Sequence, residues 1–181
     1  AYFKDLRSAA RPVLEELQKR YNETVNLAIL DGSEVVYIDQ VESTNIVVVR
    51  MFAQTGSRGP AHCTGSGKVL LAGLPPNQLK EVVYNMDLIK YTDKTITDPE
   101  ELIKELNQIK QRGYAIDNGE RDEGVWCAAA PIKNTEGMVV AAVSISVPSI
   151  RVDSAATQTK LINAIIDGAK RISTQLGYIV Y

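Results

Sequence analysis

The sequence predicts an α+β domain with a mostly antiparallel sheet of about six strands, covered by helices on one or both faces. Three observations carry this expectation. Apolar residues recur at helical spacing near both ends of the chain, and β-like runs come in two blocks of three. Turn signals join neighbouring runs as hairpins rather than as parallel βαβ units.

The elements follow in order. Leu6, Ala9, Val13, Leu14, Leu17 and Tyr21 predict a first helix of about twenty residues. Pro12 reads as a kink or restart within it, because proline lacks the backbone donor. Val25–Leu30, Glu34–Val41 and Ile46–Phe52 read as strands, the first two joined at Asp31-Gly32-Ser33. Val47-Val48-Val49 is apolar on both faces and suits a buried strand. Residues Gly56–Gly67 read as a Gly-rich loop, followed by a short apolar helix at Lys68–Gly73. Pro75-Pro76 opens another helix with Leu79, Val82, Val83 and Met86 inward.

Asp98-Pro99-Glu100-Glu101 is a helix start, with Asp98 as the cap and Glu101 completing a capping box. Leu102, Leu106 and Ile109 form the buried stripe, and Gly113 stops the helix. Tyr114–Asp117, Val125–Ile132 and Val139–Val147 are three further strands, with a turn at Asn134–Gly137. The last helix starts near Asp153 or Ser154. It carries Leu161, Ile162, Ile165, Ile166, Ala169, Ile172 and Leu176 inward, and Gly177 ends it.

Composition narrows the function. The chain has 181 residues, 45% hydrophobic and 23% charged, with a net charge of −2. That suits one soluble domain read as cytoplasmic, with no membrane-spanning run. Acidic and basic residues are mixed along the whole chain, so no basic stripe offers itself to nucleic acid. Cys63 and Cys127 are expected as free thiols.

Most catalytic patterns fail on inspection. Thr64-Gly65-Ser66-Gly67-Lys68 resembles a phosphate loop, but His62 stands where its first Gly belongs and Val69 follows the Lys. His62 is the only histidine. It neighbours Cys63 in sequence, where side chains rarely face each other, and Cys127 reads as a small buried strand residue. His62, Cys63, Cys127 and a carboxylate lack metal-ligand spacing. No enzyme activity, cofactor or metal is expected. Glu120, Asp122 and Glu123 read as a solvated turn.

A binding pocket is the reading that survives. Gly65, Ser66 and Gly67 open a helix, so their amides point outward and favour a carboxylate or another anion. Ser144 and Ser146 share one strand face and interrupt an apolar run. Hydrogen bonding to neighbouring groups and contact with a ligand explain these hydroxyls equally well. Val125 and Cys127 share a face on another strand. Asp117 is placed either to accept from a ligand or to form the turn at Asn118-Gly119.

These segments resemble a known family: Arg11 to Leu17, Gly59 to Lys68, Arg112 to Asp117, Glu120 to Cys127 with Ala128-Ala129-Ala130-Pro131, and Val143 to Ser146. In this order and spacing they are similar to the C-terminal effector domain of the isocitrate lyase regulator (IclR) family of transcription factors. The resemblance implies a GAF-like fold with a curved sheet, and a ligand pocket between that sheet and Thr64–Lys68. It places effector contacts on Gly65, Ser66, Asp117, Cys127, Ser144 and Ser146, with Val48, Met51 and Val125 as apolar wall. Val48 and Met51 lie on opposite faces of a regular strand, so a bend is needed there.

The family's ligands are small carboxylates, aromatic acids or signalling lactones. Its members are dimers or tetramers that bind DNA through a winged helix-turn-helix. The resemblance thus implies a single effector-binding unit over residues 1–181, with the DNA reader outside this sequence. Two other readings stand beside it: a GAF-type sensor of another signalling protein, and a thiol hydrolase using Cys63 or Cys127.

Overall fold

The computed structural model describes residues 2–45 and 55–179. Its elements are α1 (Tyr2–Tyr21), β1 (Thr24–Asp31), β2 (Glu34–Val41), β3 (Arg58–Pro60), α2 (Gly65–Ala72), α3 (Pro76–Asn85), α4 (Pro99–Arg112), β4 (Ala115–Asn118), β5 (Val125–Lys133), β6 (Val139–Pro148) and α5 (Ala155–Gln175), with one 3-10 turn at Ser149–Arg151. The strands form one curled sheet in the order β3-β2-β1-β6-β5-β4. Every pairing in it is antiparallel. The α+β expectation holds, with helices on both faces. No helix among the described residues is long and apolar enough to cross a membrane.

Strand alternation divides the interior into two cores. On one face, Val25, Leu27, Trp126, Ala128, Ile132, Val143 and Ile145 pack against Leu6, Leu14 and Leu17 of α1 and Ile165 and Ile172 of α5. On the other, Ala28, Val35, Tyr37, Ala129 and Ala142 pack against Leu70 and Leu71 of α2, Leu79 of α3 and Leu102 and Leu106 of α4. The small residues on this second face let α2 lie close to the sheet.

Local signals set the element ends well. Gly32 takes a positive φ of 64° in the two-residue turn, where Asp31 faces Glu34. Asp98 Oδ2 accepts the Glu101 amide at 3.0 Å, which is the Asp98 half of the expected box. Gly113 closes α4 in the left-handed region. Ser154 caps α5.

Three expectations are corrected. Pro12 does not restart the first helix, which runs unbroken through it. Pro12 and Ser8 are both exposed, so the carbonyl that loses its partner faces water. The Gly56–Gly67 loop contains β3, which pairs with Glu34–Val36, and it ends where α2 begins at Gly65. Glu120 is not solvated but buried. The predicted strand Ile46–Phe52, with Val48 and Met51, lies outside the described residues.

One irregularity matters for the site. On β2, Asp39 stands opposite Leu27 and Tyr37 opposite Ala28, so Ile38 is an extra, bulged residue. The bulge turns Asp39 towards α1 and leaves Gln40 opposite Asn26 on the other face.

Candidate functional site

Of the site residues named from the sequence, Gly65, Ser66, Asp117, Val125, Cys127, Ser144 and Ser146 come together on the α2 side of the sheet. Asp117 stands opposite Cys127, Cys127 opposite Ser146, and Ser146 opposite Thr24. The adjacent row runs Ala129, Ser144, Asn26 and Gln40. Residues in register share a face, with neighbouring side chains about 5 Å apart. A polar band therefore crosses five strands of an otherwise apolar surface. Val125 lies on the same face as Cys127 and is half-buried.

The N-terminus of α2 closes over this band. A Cβ placed on Gly65 would lie 3.1 Å from Cys127 Sγ and 3.4 Å from Ala129 Cβ. Glycine is what allows the helix to approach so closely. Thr64 caps the helix by accepting the Gly67 amide at 3.1 Å. This corrects one expectation, because Gly67 does not offer a free donor. The amides of Gly65 and Ser66 have no partner among the described residues. Ser66 is 1% exposed, and its Oγ is buried without a hydrogen bond there.

The serine hydroxyls do find partners, as buried hydroxyls should. Asn26, fully buried, donates through Nδ2 to Ser144 Oγ (3.3 Å) and Ser146 Oγ (3.2 Å). Its own Oδ1 accepts from Gln40 Nε2 at 2.9 Å. Sequence reasoning missed Asn26. The signal was present: a lone amide inside the apolar run Val25–Leu30, parallel to the serines inside Val139–Val147.

A buried ion pair flanks the band. Lys68 Nζ donates to Glu120 Oε2 and to the Ile116 carbonyl, both at 2.7 Å. Asp117 Oδ1 accepts the Glu120 amide at 2.7 Å, so the turn-forming role expected for it is realised. Burial, with Glu120 adding to it, pushes the Asp117 carboxyl up to about 7. Burial also raises Glu120, against the pull of Lys68. Thr95 and Thr92 strap the neighbouring loop to the carbonyls of Glu120 and Gly119.

Neither thiol is poised as a nucleophile. Burial pushes Cys127 up to about 12 and raises Cys63 further, so both are protonated at neutral pH. His62 does not serve them as a base. Its Nε2 is engaged by the Ile89 carbonyl at 2.9 Å, and burial lowers its affinity for a proton. Among the described residues no group of three or more His, Cys, Asp or Glu side chains could hold a metal ion. A separate cavity of about 410 Å³ opens beside Arg112, Lys133 and Lys170 and contains none of the predicted site residues.

A half-curled antiparallel sheet with helices on both faces, and a polar band under a helix N-terminus, defines a ligand-sensing class of domain. Comparison with known proteins gives the family. The model described as bacterial transcriptional regulator IclR C-terminal matches residues 3–174. The chain therefore belongs to the IclR family of bacterial transcriptional regulators, as its C-terminal, effector-binding domain.

It is 41% identical over 164 residues to the HTH-type transcriptional regulator BhcR of Paracoccus denitrificans, spanning 91% of this chain and 58% of that protein. It is 34% identical to KdgR of Escherichia coli over 96% of this chain and 65% of that protein. The chain thus spans about three fifths of the length of these curated relatives. The crystal structure of the C-terminal domain of E. coli KdgR superposes with a TM-score of 0.85 at 33% identity, over 96% of this chain and 99% of that one. An IclR homologue from Microbacterium hydrocarbonoxydans complexed with 4-hydroxybenzoate gives a TM-score of 0.84 at 30% identity, over 95% of this chain and 68% of that one.

Proposed function

We propose that the band formed by Asp117, Cys127, Ser144 and Ser146, under Gly65 and Ser66, binds a small effector bearing a carboxylate, with Val48, Met51 and Val125 as apolar wall. The observation that carries this reading is convergence. The start of α2, whose Gly65 and Ser66 amides and Ser66 hydroxyl have no partner among the described residues, lies against Cys127 and Ala129, the strand neighbours of Ser146 and Ser144. A helix N-terminus and several hydroxyls suit an acid, because charge-assisted bonds are the stronger ones. The 4-hydroxybenzoate complex of the Microbacterium homologue points to the same ligand chemistry.

In the full-length regulator, the effector biases an equilibrium between arrangements of a dimer or tetramer. That bias reaches a winged helix-turn-helix joined ahead of α1, which contacts operator DNA in the cytoplasm. Residues 1–181 act as the sensing unit and catalyse nothing. Couplings of this kind amount to about 1–3 kcal/mol.

Calorimetry tests the reading with 4-hydroxybenzoate, 3-hydroxybenzoate and pyruvate, each beside its uncharged amide. The acids are expected to bind and the amides not. Ser144→Ala/Ser146→Ala is expected to weaken the best acid roughly 10-fold or more. Equal binding of acid and amide, or unchanged binding in the double variant, removes the serines and the charge from the account.

A further inference from the structure

We propose that Asn26 and Gln40 are positioning residues of the effector face and couple it to Arg11 on α1. This rests on the reading of that face as a ligand site. The chain of contacts is continuous. Asn26 Nδ2 bonds to both Ser144 Oγ and Ser146 Oγ, and Asn26 Oδ1 bonds to Gln40 Nε2. Arg11 Nη1, on the far side of the sheet, donates to the Gln40 carbonyl at 3.1 Å and to Asp39 Oδ1 at 2.9 Å. Asp39 Oδ1 also accepts the Gln40 amide at 2.9 Å.

The bulge at Ile38 makes this crossing possible. A regular strand would put Asp39 on the face of Tyr37, away from α1. The extra residue returns Asp39 to the α1 side and places Gln40 beside Asn26. One peptide segment therefore carries a side chain to the ligand face while its carbonyl and its neighbour's carboxylate hold α1. Around this crossing the two faces of the sheet carry apolar cores.

Asn26 has no slack. It is fully buried, and the hydrogen bonds it makes there go to the two serines and Gln40. A buried amide that loses a partner is costly, because its lost hydration is no longer compensated. A ligand that draws the serine hydroxyls towards itself changes what Asn26 must bond to. The amide then adjusts against Gln40, the one half-buried and therefore movable member of the group. The Gln40 backbone is what Arg11 grips. Asn26 and Gln40 thus decide both the orientation of the serine hydroxyls and how firmly α1 is held.

The test has two arms, on the 181-residue chain. The KdgR C-terminal domain, 99% of which this chain covers, has been crystallised by itself. The first arm needs no ligand. The Nη–H resonances of Arg11 and the amide exchange of residues 8–15 are measured in the wild type, Ser144→Ala/Ser146→Ala, Gln40→Met, and the triple variant. Removing the serines is expected to shift the Arg11 signal and alter exchange about fivefold, the lower edge of ordinary coupling. With Gln40→Met in place, removing them should change neither. Arg171, which pairs with Glu16 further along α1, serves as the control that does not move. If the double serine variant does not fold, Ser144→Ala alone in both backgrounds makes the same comparison. An unmoved Arg11, or a response that survives Gln40→Met, overturns the proposal.

The second arm saturates the wild type and Gln40→Met with 4-hydroxybenzoate and with pyruvate. The exchange change at residues 8–15 is expected in the wild type and not in the variant. If neither probe binds the wild type, the acid reading of the site fails for these ligands while the first arm still decides the coupling.

Discussion

Lys68 Nζ lies 2.7 Å from Glu120 Oε2, with the lysine side chain 1% exposed and the glutamate side chain 12% exposed. This pair ties the first turns of α2 to the loop after β4, and so fixes the height of the helix N-terminus over the band. Breaking it from one side leaves a buried charge alone. Lys68→Met is expected to destabilise the fold by about 3–5 kcal/mol, and Lys68→Met/Glu120→Gln to recover much of that loss. Urea denaturation of the three proteins checks both statements. A double variant as unstable as the single one would contradict them.

Asp117 makes stability depend on pH. Its folded value of about 7 lies above the ordinary 3.8. A raised carboxyl contributes stability that is complete below about pH 4 and is lost as pH rises through 7. Asp117→Asn keeps an oxygen for the Glu120 amide and removes the titration. The variant is expected to gain on the wild type between pH 4 and 8, by on the order of 4 kcal/mol. Thermal or urea unfolding across that range reads the difference. A constant gap between the two proteins would contradict the assignment. Glu120, also raised by burial, gives a residual slope of the same sign in both.

The two thiols are expected to resist alkylation in the folded protein. Burial holds both protonated, and thiolate is the reactive form. Iodoacetamide at pH 8 followed by mass spectrometry should show slow labelling of Cys63 and Cys127, and rapid labelling of both in guanidinium. Fast labelling of the native protein would restore the case for a reactive cysteine.

Gly65 and Gly67 predict contrasting outcomes. A methyl group on Gly67 would collide with the backbone of Ala61, which cannot give way, so Gly67→Ala is expected to unfold or displace the start of α2. On Gly65 it meets Cys127 Sγ at 3.1 Å, a tight contact that a small adjustment relieves. Gly65→Ala is therefore expected to fold and to weaken acid binding by crowding the band. Circular dichroism and calorimetry on the two variants separate these effects. Stable folding of Gly67→Ala would contradict the packing of this turn.

The sequence was legible where the physics is local. Asp98 and Gly113 bound α4 because a cap and a left-handed stop need only their immediate neighbours. The hairpin at Gly32 and the serines on β6 were legible for the same reason. What was missed depends on partners distant in sequence. Arg58–Pro60 is too short to show alternation and becomes a strand only by lying against Glu34–Val36. Glu120 looks like a solvated acid until Lys68, 52 residues earlier, is brought to it. Asn26 bonds to hydroxyls 118 and 120 residues away, so its role emerges only from the register of β1 with β6.

Co-crystallisation with the tightest-binding acid of the calorimetric panel tests the central claim most directly. The account predicts carboxylate density about 3 Å from Ser144 Oγ, Ser146 Oγ and the Gly65 or Ser66 amide. An acid seated instead in the cavity beside Arg112, Lys133 and Lys170, with the band under α2 left unchanged, would contradict it.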